Sequence, residues 1–367
     1  MLPLEGLKVI AVEQAVAAPF ASSRLADAGA RVIKVERPEG DFARGYDSAA
    51  AGQSSYFVWL NRGKDTVTLD LTSAAGTAAL AELLADADVL IQNLKPGALA
   101  KLGFAPAALR AANPRLITCS ISGYGEDGPL ADRKAYDLLI QAESGLSSIT
   151  GGPGEPARVG VSVVDIATGA TAHAAILEAL IRRGITGEGA EISLSMFDVM
   201  ADWLTVPLLN HEAGKTPQRV GLAHPSIAPY GVFHPRSGPP ILISIQSDRE
   251  WRVLCADFIG DPALGEDPRF ATNMARVANR EETDARVAAA FAVMDAEVAI
   301  ARLTAANIAL ASVNDMAGLA DHPHLRRITV DSPNGPVRFP APGARFVGED
   351  RAHGPVPGLK RMQPEGS

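Results

Sequence analysis

The feature that most constrains the fold is an alternation in the first half of the chain. Short β-branched runs at residues 7–13 (LKVIAVE), 31–36 (RVIKVE), 66–71, 89–93 and 116–122 are separated by segments of helical length. An alanine-rich stretch at 19–28 joins the first two runs, and 73–86 is an amphipathic helix with Ser73 in the capping position. Parallel strands need crossover connections of about a dozen residues or more, and these supply them. The pattern predicts an α/β fold with a mostly parallel sheet covered by helices on both faces. A long helix of small residues follows at 161–183, and 190–196 returns as a strand.

The texture then changes. Residues 214–240 hold six prolines, and a strand at 241–246 and helices at 248–259, 280–293 and 295–306 follow. This reads as a large domain over 1–200, a linker over 201–225 and a small α+β domain over 226–324. The last stretch, 325–367, is rich in Pro and Gly, with a hairpin turn at Ser332-Pro-Asn-Gly335.

Hydrophobic residues make up 47% of the 367, which excludes disorder as the overall state. Thirty-four Lys and Arg against 42 Asp and Glu leave a net charge of −8, a field that disfavours nucleic acid or an anionic membrane as partner. Cys119 and Cys255 lie in apolar runs and read as buried thiols, with no disulfide framework or zinc site. Asp321, His322 and His324 read as a solvated loop, so no metal is expected. The N-terminus has no leader pattern, and the apolar stretch at 166–181 is too short to cross a bilayer, so a soluble cytoplasmic protein is expected.

Common nucleotide and hydrolase motifs are missing. The first strand-to-helix turn, EQAVAAP at 13–19, lacks Gly-x-Gly-x-x-Gly, and the chain has neither a Walker loop nor a Gly-x-Ser-x-Gly elbow. One acid, Asp165, sits at the start of the long small-residue helix. There it can be a simple helix cap or a reactive carboxylate beside free backbone N–H groups, and the residues alone leave both readings open. Lys134-Ala-Tyr-Asp137 opens another helix after a glycine-rich loop.

Taken in order, LEGLKVI at 4–10, GARVIKVERP at 29–38 with Gly40, Asp41 and Arg44, NRGK at 61–64, LDL at 69–71, DVLIQNLKPG at 88–97, NPRL at 113–116, Lys134–Asp137, and Asp165 with Thr168-Gly169 form a specific set. The chain resembles the family III CoA-transferases, the group that contains formyl-CoA transferase, carnitine-CoA transferase and α-methylacyl-CoA racemase, over essentially its whole length. The resemblance implies a Rossmann-like large domain completed by the 325–367 tail, a small domain, and a homodimer of interlocked subunits.

It also implies a site. Asp165 falls on the family's nucleophilic aspartate, with Gln14 and Tyr136 beside it. Coenzyme A contacts map onto Ala15, Arg37, Leu69, Asp70, Leu71, Thr72, Asn93, Leu94, Lys95, Lys101, Arg133, Lys134 and Ala135. The cations among them would give an acidic protein a basic pocket for phosphates. The implied reaction moves CoA between an acyl-CoA and a small carboxylic acid through an aspartyl-CoA thioester. The backbone N–H groups of Gln14 or Ala15 and the helix start near Asp165 are the expected oxyanion donors.

The racemase branch is a rival, but the histidine it uses as a base falls on Tyr136, a poor base at neutral pH with an ordinary pKa of about 10. His173, eight residues from Asp165 along one helix, is roughly 12 Å away. A CoA-binding dimer without turnover is the remaining alternative. Where formyl-CoA transferase has a mobile run of glycines, this chain reads GLAHPSIAPY at 221–230. That disfavours formyl or oxalate substrates, makes His224 and Ser226 candidate substrate contacts, and points to C4 to C5 dicarboxylates such as mesaconate, succinate, citramalate or malate, with transfer within one molecule as an option.

Overall fold

The computed structural model describes residues 2–359. The chain divides into two compact units, a larger one over 1–147, 158–209 and 326–367 and a smaller one over 148–157 and 210–325. The tail therefore belongs with the larger unit as far as it is described, and residues 360–367 lie outside the description. The short segment 148–157, which contains the Gly/Pro-rich run GGPGEP at 151–156, groups with the smaller unit.

The larger unit is built on six parallel strands in the order β3-β2-β1-β4-β5-β6. These are β1 (Lys8–Val12), β2 (Arg31–Glu36), β3 (Asp65–Thr68), β4 (Val89–Gln92), β5 (Ile117–Ser122) and β6 (Glu191–Ser195). β3 stops short of the expected residue 71 because Asp70 folds back, its carboxylate accepting the Thr72 N–H at 3.0 Å and hydroxyl at 2.6 Å. Ser73 then caps the Ala74–Leu84 helix through the Gly76 N–H at 3.0 Å.

Alternate strand residues feed two cores. Val9, Ala11, Val89, Ile91 and Cys119 face the layer formed by the Ala17–Asp27 and Val163–Thr186 helices, whereas Ile10, Val12 and Leu90 face Leu80 and Leu84. Cys119 and Cys255 are both fully buried, as their surroundings predict.

The Val163–Thr186 helix is longer than the sequence reading. Its 24 residues are enough, by length and composition, to cross a membrane, which corrects the expectation that this stretch is too short. Val164, Ala167, Ala172 and Ile176 on its inner face belong to the core, so it is the central helix of the unit. Gly169 lets it lie against the Ala17–Asp27 helix, since a Cβ there would stand 2.5 Å from the Ala17 carbonyl oxygen.

The tail adds a hairpin, β10 (Arg327–Val330) with β11 (Val337–Pro340), closed where Gly335 donates to the Ser332 carbonyl at 3.0 Å. Val330 and Val356 pack with Ala50, Phe57 and Val58.

The smaller unit has a three-stranded antiparallel sheet of β7 (Tyr230–Phe233), β8 (Ile241–Ser244) and β9 (Ala309–Ser312). Trp251, Phe258, Phe270 and Phe291 fill its core. The 148–157 segment is tied into it by Arg219, which donates to the carbonyls of Ser148 at 3.0 Å and Gly152 at 3.1 Å.

Candidate active site

The strand order reverses between β1 and β4, and in an open parallel sheet the crevice at the carboxyl ends of the strands flanking such a reversal is where ligands bind. Here the chain leaves β1 through Glu13-Gln14-Ala15 and β4 through Asn93-Leu94-Lys95. Asn93 joins the two turns, accepting the Gln14 N–H at 3.0 Å and donating to the Gln14 carbonyl at 2.8 Å. A cavity of about 680 Å³ opens over these turns. Its lining includes Gln14, Ala15, Tyr136 and Asp165, with Tyr46 and Tyr56 beside them.

Ala15 has a left-handed backbone, φ 62°, which an alanine adopts only when its surroundings impose it. What imposes it is a group of charges fully removed from solvent. Asp41 accepts the Ala15 N–H at 3.1 Å, the Ala43 N–H at 2.9 Å and the Lys34 Nζ at 2.8 Å. Lys34 also lies 3.6 Å from Glu13, whose carboxylate takes the Lys64 ammonium at 2.6 Å and the Ser22 hydroxyl at 2.7 Å. Two carboxylates and two ammoniums balance. Burial pushes the Glu13 carboxyl up, but Lys64 and Lys34 outweigh it and hold the pKa below the ordinary value. Burial pushes the Lys64 ammonium down to about 8. The visible sign of this group in the sequence is Lys34, a charge set among Val32, Ile33 and Val35 in an interior strand.

Asp165 is the third residue of the Val163–Thr186 helix, and it does not cap it. The cap comes from Asp137, whose Oδ1 accepts the backbone N–H of Val164 at 2.8 Å and of Asp165 at 3.2 Å. Its Oδ2 accepts from the Gln141 side-chain Nε2 at 2.7 Å, and the Gln141 side-chain Oε1 accepts the Val159 N–H at 2.9 Å. The Asp165 carboxylate is left to face the cavity. Burial, and then the negative charge of Asp137, push its pKa up to about 7. At neutral pH the carboxylate is therefore only partly ionised.

The expected oxyanion donors need a correction. The N–H of Gln14 is taken by Asn93, that of Ala15 by Asp41, and those at the start of the Asp165 helix by Asp137. Other donors on the cavity wall include the Gln14 side chain and the first turn of the Ala17–Asp27 helix, which has no side-chain cap and presents Val16 and Ala17 to the cavity.

A second cavity of about 510 Å³ shares Gln14 and Leu94 with the first and is lined by Arg37, Leu69, Asp70, Leu71 and Thr72. Asn93, Leu94, Lys95, Arg133, Lys134 and Ala135 line the larger one. The cations gather in the larger cavity, whereas Arg37 is the one cation among the described residues on the smaller, which Glu39 and Asp70 also line. Lys95 pairs with Asp132 at 3.0 Å and Arg133 with Glu143 at 2.7 Å, whereas Arg37 donates to the Gly40 carbonyl at 2.9 Å. Lys101 lines neither cavity.

His224 and Ser226 belong to the smaller unit, where they build a loop. The His224 ring stacks on Tyr230 at 5.4 Å, its Nδ1 accepts the Ser226 N–H at 3.1 Å, and Arg280 holds its carbonyl at 2.7 Å. His173 is pushed to a lower pKa by burial and by Arg24, and does not line the Asp165 cavity. Among the described residues no group of three or more His, Cys, Asp or Glu is placed to hold a metal ion.

A carboxylate facing a cavity at the reversal of a Rossmann-ordered sheet, with Lys95, Arg133, Lys134 and Arg158 on its walls, is the arrangement of an enzyme site that receives an anionic substrate. Residues 4–359 match the family model described as CoA-transferase family III, and the chain belongs to that family. The acetyl-CoA:oxalate CoA-transferase of Acetobacter aceti is 37% identical over 100% of this chain and 94% of its own length. The succinate–glutarate CoA-transferase of Agrobacterium fabrum is 41% identical over 76% of this chain and 72% of its own. The crystal structure of a CaiB/BaiF family protein from Brucella suis covers 98% of this chain and 97% of its own, with 37% identity and a TM-score of 0.81.

Proposed function

We propose that the protein transfers CoA between short dicarboxylates through an aspartyl-CoA thioester on Asp165. The observation that carries this reading is the Asp165 carboxylate, freed from capping by Asp137 and facing a cavity whose other wall is Gln14. Attack of its oxygen on the acyl-CoA carbonyl expels CoA thiolate and leaves a mixed anhydride. The thiolate returns to the aspartyl carbonyl and releases the first acid. The incoming carboxylate then attacks the aspartyl thioester, and the thiolate completes the exchange on the new acyl group. Each addition places a negative oxygen in the cavity, where the Gln14 amide and the uncapped helix start at Val16 and Ala17 are available donors.

The substrate class follows from the relatives named for oxalate and for succinate with glutarate, and from the size of the cavity beside the nucleophile. Oxalate stays among the acids to test because its relative spans the whole chain, despite the absent glycine run. A racemase reading has little support: no histidine is among the residues lining the cavity, and Tyr136 stands where that chemistry needs a base. The enzyme works as an interlocked homodimer in this reading, with exposed Trp203, Val206 and Leu209 as candidates for a covered surface, and its setting is the cytoplasm.

The test is incubation with an acyl-CoA followed by peptide mass spectrometry. A CoA adduct on the peptide holding Asp165, lost in Asp165→Ala while CoA binding persists, supports the mechanism. Full transfer by Asp165→Ala, or α-proton exchange with no acceptor acid, sinks it.

A further inference from the structure

Four cations line the cavity that holds Asp165, and two of them already face carboxylates, Lys95 with Asp132 and Arg133 with Glu143. Lys134 continues the same loop. Arg158 stands apart. It lies in the segment that runs into the Asp165 helix, with Ser162 as that helix's N-cap. It is exposed, and among the described residues its guanidinium makes a single hydrogen bond, from Nε to the Val159 carbonyl at 3.1 Å. Among the described residues it enters no ion pair, so four of its five N–H donors face the cavity side or solvent unclaimed.

We propose that Arg158 is a specificity-determining residue that binds the distal carboxylate of a dicarboxylic acid while the other end reacts at Asp165. The proposal rests on the transfer reading above and adds the residue that selects diacids. A second carboxylate entering this cavity meets two acids, Asp165 and Asp137, and needs a fixed countercharge. A planar guanidinium is suited to that role, since its paired N–H groups match both carboxylate oxygens. The hydroxyls of Tyr56 and Ser162, 3.5 Å apart, line the same cavity and add neutral donors beside it. The Val159 bond and the Gln141 bond to the next N–H fix the backbone from which Arg158 reaches.

The experiment is calorimetric titration of glutarate and of valerate, its monocarboxylate of equal length, into the full chain with and without CoA, for the natural protein, Arg158→Met and Arg158→Lys. The natural protein should prefer glutarate. Arg158→Met should lose about 10- to 100-fold in glutarate affinity, the range for one charge-assisted contact, with valerate unchanged within about twofold and CoA affinity intact. Arg158→Lys should recover part of the loss. Equal losses for both acids, no loss, or no preference for glutarate in the natural protein overturns the proposal. Binding is read without turnover, so glutarate selectivity that depends on Arg158 in a protein forming no Asp165 adduct would defeat the transfer mechanism and leave this assignment standing.

Discussion

Asp137 holds Asp165 by its backbone and opposes it by its charge: the Oδ1 of the first accepts the N–H of the second at 3.2 Å, while both carboxylates share one helix start. The same residue therefore positions the Asp165 carboxylate, the proposed nucleophile, and with burial raises its pKa to about 7. A raised pKa makes a carboxylate more basic and more reactive once ionised, at the cost of keeping part of it protonated at neutral pH.

The rate should follow that ionisation. The acid limb of kcat/KM is expected near pH 7, with activity rising as Asp165 loses its proton. Asp137→Asn keeps an oxygen for the two N–H groups but removes the like charge, so the limb should move to lower pH without reaching the ordinary aspartate value, because burial persists. Asp137→Ala should instead lower kcat about 10-fold or more through a misplaced Asp165. Matching pH–rate profiles for the natural protein and Asp137→Asn would remove the charge coupling from the account.

Stability carries the same signature with a known sign. Asp165 has a higher pKa folded than unfolded, so between about pH 4 and pH 7 the folded state holds the extra proton and stability falls as pH rises. Asp165→Asn should therefore raise stability at pH 8 by up to a ceiling on the order of 4 kcal/mol, and the Tm with it, and lose that advantage below about pH 4. Thermal melts of both proteins across this window test it, and a Tm difference independent of pH would refute the linkage.

The buried charges behind Ala15 predict a different failure. Lys34→Met leaves Asp41 and Glu13 facing Lys64 alone, without solvent, and should destabilise by about 3–5 kcal/mol. Denaturant unfolding measures it. Ala15→Gly relieves the left-handed strain at φ 62° and should leave stability equal or higher while loosening Gln14, so kcat should fall without loss of Tm.

Much of this architecture was legible because its cause is local. The strands β1, β2, β4 and β5 lie where β-branched runs place them, and Ser73 caps where its spacing to the helix predicts. The Asp165 helix was legible as a helix, but its start was read without Asp137, which acts across 28 positions of sequence. Short-range pattern does not encode such a partner. The Gln14 and Ala15 N–H groups look free in the sequence for the same reason: Asn93 and Asp41 reach them only once the sheet is assembled. β7 and β9 escaped detection since each has four residues and gains its place from pairing with β8. The motif residues Thr168-Gly169 had no physical reading until the contact between two helices supplied one.

That contact yields the last prediction. A Cβ on residue 169 would stand 2.5 Å from the Ala17 carbonyl oxygen and 2.8 Å from the Phe20 Cβ, and a backbone oxygen cannot swing aside as a side chain does. Gly169→Ala must therefore push the Val163–Thr186 helix away from the Ala17–Asp27 helix. The first carries Asp165 one turn upstream, and the second carries the uncapped N–H groups proposed for the oxyanion, so the reacting pair should separate. A loss of about 1–3 kcal/mol in stability is expected from overpacking, with a kcat reduced by at least 10-fold and a smaller change in CoA affinity. Gly184, on the same helix but with open space around its Cβ position, is the control: Gly184→Ala should match or exceed natural stability and keep full activity. Equal behaviour of the two variants would show that the helix spacing does not set the geometry of the site.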